Sequence, residues 1–129
     1  MRSWRMRLSI GLAMLAVLPA AGAATAYDTV AAATRDEYRV RIKHCRSLAP
    51  NARSFCMKSA QARARNALGQ TYADAVTGAK AAYASASSKC KDLGLTERRR
   101  CLRQAKAEHS MALGRAEEIR SAPLAMGPG

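Results

Sequence analysis

Through the middle of the chain, alanines and larger apolar residues recur in steps of three and four: Cys56, Ala60, Ala64, Ala67/Leu68, Tyr72, Ala75/Val76, Ala79, Tyr83, Ala86 and Cys90. Steps of that length put side chains on one face of an α-helix. β-branched residues are sparse, and Ala, Arg, Lys, Gln and Glu dominate both flanks, so strands are not expected. The stripe runs through Gly69 and Gly78, each of which costs a helix about 1 kcal/mol relative to alanine. The pattern predicts one long helix over 52–92 between shorter helices over 28–47 and 97–120. A break at either glycine would instead fold the chain into a compact four-helix bundle.

Two turns separate these elements. Pro50 disfavours helix at the residue before it, and Asn51 is a good N-cap for the long helix. Gly94 is able to end one helix and Thr96 to cap the next, with Glu97 favourable in its first turn. Cysteines bracket both turns with the same ten-residue gap, in HCRSLAPNARSFC (44–56) and KCKDLGLTERRRC (89–101). Pairing Cys45 with Cys56 and Cys90 with Cys101 closes each bend locally. Each bond would contribute roughly 3 kcal/mol. The nested pairing, 45–101 with 56–90, is the competitor.

The second register sets alanine against alanine, Ala86 with Ala105, Ala79 with Ala112 and Ala75 with Ala116. Such a seam permits the close helix approach that a disulfide needs. The first register is less regular, setting Arg41 against Ala60 and Tyr38 against Arg63. At 100° per residue, Cys56 and Cys90 lie about 160° apart around the central helix, so the outer helices should dock on different sides of its two halves. The expected fold is all-α and elongated: two disulfide-stapled antiparallel hairpins sharing one helix.

Sliding the chain by 45 residues aligns Tyr38 with Tyr83, Cys45 with Cys90, Leu48 with Leu93, Arg53 with Arg98 and Cys56 with Cys101. With Ala60/Ala105, Ala62/Ala107 and the triplet Ala67-Leu68-Gly69 on Ala112-Leu113-Gly114, there are ten identities in 32 ungapped positions. The chain is therefore a tandem duplication, 38–69 and 83–114, with one supersecondary unit per copy.

The N-terminus changes the setting. Arg2, Arg5 and Arg7 precede an apolar run from Leu8 to Leu18, then Pro19 and small residues. That order is that of a secretory signal peptide over 1–23, cleaved after Ala23 or alternatively after Ala26. The run is too short to span a bilayer, so no transmembrane anchor is expected in the mature chain. The remaining residues keep 19 Lys/Arg against nine Asp/Glu, a net charge near +10, and about twenty large apolar side chains. A core that thin favours covalent staples, and an oxidising compartment preserves them. The expected location is the periplasm, with 24–120 as a single helical domain and 121–129 as a disordered tail.

Together the export signal, Y-x6-C-x2-L and R-x2-C-x3-A resemble a group of small, uncharacterised exported proteins of proteobacteria built from alanine- and charge-rich repeats. Tyr38, Cys45, Leu48, Asn51, Arg53, Cys56 and Ala60 match the pattern in the first copy. Tyr83, Cys90, Leu93, Arg98, Cys101 and Ala105 match it in the second. The usual Gly-Asn turn is replaced by Pro50-Asn51 and Leu95-Thr96. The resemblance implies helical hairpins and a periplasmic location, and carries no activity with it.

Candidate chemistry is scarce. No C-x-x-C, C-x-x-C-H or H-E-x-x-H occurs, so no metal site and no cofactor are expected. A disulfide-bonded Cys45 cannot act as a nucleophile beside His44, and His109 reads as a packed or surface histidine. Asp36-Glu37 and Glu117-Glu118 diverge around a helix and read as solvated ion-pair partners. Basic clusters remain: Arg39, Arg41, Lys43 and Arg46 on the first helix, and Arg98, Arg99 and Arg100 opening the last, where three cations oppose the helix dipole. Arginine suits bidentate contact with phosphate or carboxylate. The expectation is a non-enzymatic structural or interaction protein of the cell envelope. A binding protein for anionic envelope ligands, lipid headgroups or acidic polymers, is the alternative, and a chaperone-like holdase the third. An alanine-faced rod is also able to form a homodimer. Nucleic acid is an awkward partner for an exported chain with few stacking aromatics.

Overall fold

The computed structural model describes residues 21–124, with side chains from Ala26 onward. The expected signal segment lies almost wholly outside these residues. Three helices run in order: α1 (Ala21–Arg46), α2 (Pro50–Cys90) and α3 (Leu95–Ser121). The described residues are all-α, as the three- and four-residue steps require. α2 passes through both glycines without a break, and its 41 residues span about 60 Å at 1.5 Å per residue. The four-helix alternative is thereby excluded.

Both bends are closed locally, by Cys45–Cys56 and Cys90–Cys101, with Cα separations of 5.5 and 5.6 Å. The nested pairing is not formed. Cys45 and Cys90 are among the most deeply buried residues of the chain.

The caps differ from expectation by two positions. α2 starts at Pro50, whose missing N–H costs nothing at the first helical position, and Ala49 is the N-cap with φ −59° and ψ 151°. Asn51 therefore lies inside the first turn, its Oδ1 accepting from the Ala52 N–H at 3.0 Å. In the second copy Gly94 occupies the N-cap of α3 with φ −60° and ψ 162°, and Thr96 lies inside the helix. Gly94 does not end α2, which stops at Cys90. Its backbone is ordinary extended chain, the same conformation that alanine adopts at position 49.

Packing follows the two halves of α2. Tyr38 and Ile42 of α1 bury against Ala60 and Ala64 of α2, with Met57 beside them. Of the expected first register, Tyr38 and Ala60 are in the seam, and Ile42 and Ala64 stand there in place of their neighbours Arg41 and Arg63. At the waist Ala31 of α1, Leu68 and Ala75 of α2, and Ala116 and Ile119 of α3 form a shared cluster, flanked by Tyr27, Tyr72 and Val76. There Arg35 Nη2 donates to the Ile119 carbonyl at 3.0 Å, joining α1 to the open C-terminal carbonyls of α3. Gly78 permits a close approach at the same level: a Cβ on it would stand 2.8 Å from the Tyr27 hydroxyl oxygen.

The tail from 121 was expected to be disordered. Ser121 completes α3, and Leu124 packs against both core clusters. Residues 125–129 lie outside the described residues.

Candidate functional site

The repeat explains itself at the two bends. Leu48 N–H donates to the Cys45 carbonyl and Leu93 N–H to the Cys90 carbonyl, at 3.1 and 3.3 Å. Arg53 N–H donates to Ala49 and Arg98 N–H to Gly94, at 2.8 and 2.7 Å. The Arg53 guanidinium then reaches back to the Leu48 carbonyl at 3.2 Å, and that of Arg98 to the Leu93 carbonyl at 3.1 Å. Two bends of unlike sequence are thus built with the same bonds. The arginine of R-x2-C clamps the turn, and in Arg98 this engages one terminal nitrogen of the guanidinium.

The other candidate residues divide. Arg39 pairs with Asp36 and Arg41 with Glu37, each at 2.6 Å. The hydrogen bond and charge of Arg41 hold the Glu37 carboxyl below its ordinary range, with a smaller pull from Arg63. Lys43 and Arg46 stand exposed at the end of α1. Arg99 and Arg100 are exposed at the start of α3, with Lys91 and Arg103 nearby in the chain. No ion pair among the described residues engages these last four.

Placing charge on the fold shows a segregation that linear inspection misses. The first hairpin end, Tyr38 to Arg65, carries eight Lys/Arg and no acid. The second, Lys89 to Lys106, carries seven Lys/Arg and two acids, Asp92 and Glu97. The waist, residues 24–37, 66–88 and 107–124, reverses the balance with seven acids and four Lys/Arg. Because each hairpin turns back on itself, stretches distant in sequence add to the same zone.

Each basic end also shows large apolar side chains. On the first, Val40 and Phe55 are 69 % and 75 % exposed. They flank a shallow hollow over the Cys45–Cys56 bridge that Arg41, His44 and Arg63 also line. On the second, Leu95 is 65 % exposed, and Leu93 and Leu102 are also exposed. Val30 and Met111, in the waist, are exposed as well.

A second feature lies between α2 and α3. Their alanine seam leaves a groove of about 410 Å³ lined by Ala79, Ala82, Ala86, Ala105 and Ala112, with Tyr83 and His109 on its walls. His109 Nδ1 lies 3.2 Å from the Ala79 carbonyl oxygen, which accepts only if Nδ1 carries the proton, and its ring is 5.0 Å from that of Tyr83. His109 is thus a packed histidine bonded to backbone. Small side chains on both facing helices leave this groove open; Ser87, which stands where the first copy has Ile42, lies outside its lining.

No group of three or more His, Cys, Asp or Glu able to hold a metal ion is formed among the described residues, and none of their helices is long and apolar enough to cross a membrane. Comparison with protein-family models, curated proteins and solved structures returned no match.

Proposed function

We propose that this is a non-enzymatic helical interaction protein of the cell envelope, exported to the periplasm, that binds anionic surfaces through its basic hairpin ends. The observation that carries the reading is the segregation of charge: fifteen Lys/Arg and two acids at the ends against an acidic waist. A chain made basic merely for solubility has no need to sort its charges along a rod. The arginine-led leader and the two formed disulfides support export to an oxidising compartment. Arginines free of acid partners at the second end supply the forked donors that phosphate and carboxylate accept.

Retention on lipopolysaccharide- or heparin-coated beads tests this. Elution should require salt well above physiological strength, because several neighbouring cations engage the polyanion at once and each displaced counterion adds to the affinity that salt must overcome. Arg99→Gln, Arg100→Gln and Arg103→Gln combined should move elution to lower salt. Waist substitutions such as Lys80→Gln and Arg115→Gln should leave it in place. Equal effects from both sets would reduce the interaction to net charge and remove the proposed sites.

A further inference from the structure

We propose that the protein is a bivalent tether that joins two anionic lipid bilayers, one docked on each disulfide-closed end, with α2 as the spacer. This rests on the anionic-surface reading above and adds the partner and the geometry.

Three features of the fold lead to it. First, the two ends are separate sites. The bends cap opposite ends of a helix of 41 residues, about 60 Å long. That is several times the screening length of about 8 Å in physiological salt, so neither end feels the surface held by the other. Second, the waist carries a net charge near −3 between ends of +8 and +5, so the stretch between the ends adds no adhesion of its own and each end makes a separate contact, with the same surface or with a second one. Third, the chemistry of each end favours a bilayer over a dissolved polyanion. Phe55 and Val40 at one end, and Leu93, Leu95 and Leu102 at the other, are exposed beside the cations. A headgroup layer accepts both cation and apolar side chain, whereas a sulfated or phosphorylated polymer engages the cations alone.

The duplication gives the arrangement an origin in the sequence. Copying a hairpin and fusing its second helix to the next copy's first places two equivalent ends apart on one rigid element. Clamping each bend by its own cysteine pair and arginine keeps the exposed groups in place without a partner bound.

The oxidised protein recovered from the periplasm of an expressing cell is mixed with vesicles of phosphatidylcholine containing phosphatidylglycerol at about one lipid in three. Binding is read by co-sedimentation, clustering by light scattering, and intermembrane spacing by electron cryomicroscopy. The wild type should bind and cluster vesicles, with facing bilayers about 60 Å apart. Neutralising one end (Lys43→Gln, Lys58→Gln, Arg63→Gln and Arg65→Gln) or the other (Arg99→Gln, Arg100→Gln and Arg103→Gln) should leave sedimentation in place. Either set should slow clustering at least ten-fold, and combining the two should abolish binding. Circular dichroism checks that each variant keeps its helices. Binding without clustering would overturn the tether and leave the anionic-surface reading standing. Bead retention without vesicle binding would assign the ends to acidic polymers and overturn the bilayer partner. Absence of both would remove both readings. Clustering undiminished in the one-end variants would show that bridging does not use the two ends.

Discussion

At the scale of single residues, the most informative pair is Arg53 and Arg98. Their identity under the 45-residue shift is visible in the sequence, and the turn bond it marks is independent of the arginine run that Arg98 begins, since Arg53 has no such neighbours and makes the same bond. Both guanidinium groups bond a turn carbonyl five residues back, Leu48 and Leu93, just past the end of the preceding helix. Arg53→Ala and Arg98→Ala should each lower the stability to unfolding by about 0.5–1.5 kcal/mol, with the double variant near the sum because the two turns share no partners. Arg99→Ala should shift the denaturation midpoint little. Chemical denaturation of the four proteins checks the order, and an Arg99→Ala loss as large as that of Arg98→Ala would refute the clamp.

At the scale of elements, helix existence was legible because the apolar steps persist for over thirty residues, far beyond what two glycines can interrupt. Helix ends were less so. Pro50 opens α2 by occupying the first helical position, which moves the cap back to Ala49, and the equivalent shift carries Gly94 from the end of one helix to the start of the next. The first hairpin's register is half legible: counting from Cys45 and Cys56 finds Tyr38 and Ala60, but it locates facing backbones rather than inward side chains and so names Arg41 and Arg63 where Ile42 and Ala64 pack. Tyr27 and Tyr72, likewise 45 apart, both pack at the waist, so the repeat reaches further upstream than its cysteines advertise. The glycines of α2 differ in a way only packing reveals: nothing lies within 4 Å of a Cβ added to Gly69, whereas one added to Gly78 meets the Tyr27 hydroxyl oxygen at 2.8 Å. Gly69→Ala should therefore recover up to about 1 kcal/mol of helix propensity, while Gly78→Ala should gain less or lose stability as the Tyr27 ring is displaced. Thermal unfolding followed at 222 nm compares them, and the reverse order would mean that Tyr27 does not rest on α2.

At the scale of the whole molecule, the duplicated hairpins hold themselves together unequally. The first buries Tyr38 and Ile42 against Ala60 and Ala64, with Met57 covering them. In the second, serine stands at the position of Ile42, the seam is alanine, and a groove remains open along it. A buried alanine contributes roughly 0.8 kcal/mol per methyl against about 1.5–3 for a buried isoleucine or methionine. The second hairpin therefore depends more on its covalent bond, even though both bonds close loops of the same length and constrain the unfolded chain alike. Opening Cys90–Cys101 with paired serine substitutions should release the first half of α3, with amide exchange there rising at least ten-fold more than exchange in α1 rises when Cys45–Cys56 is opened. The C-terminal turns of α3 should stay protected in both variants, because Ala116 and Ile119 remain in the waist cluster and the Ile119 carbonyl keeps its bond from Arg35. Hydrogen exchange resolved by peptide mass distinguishes the helices, and equal loss of protection at the two ends would show that the alanine seam packs as firmly as the isoleucine one.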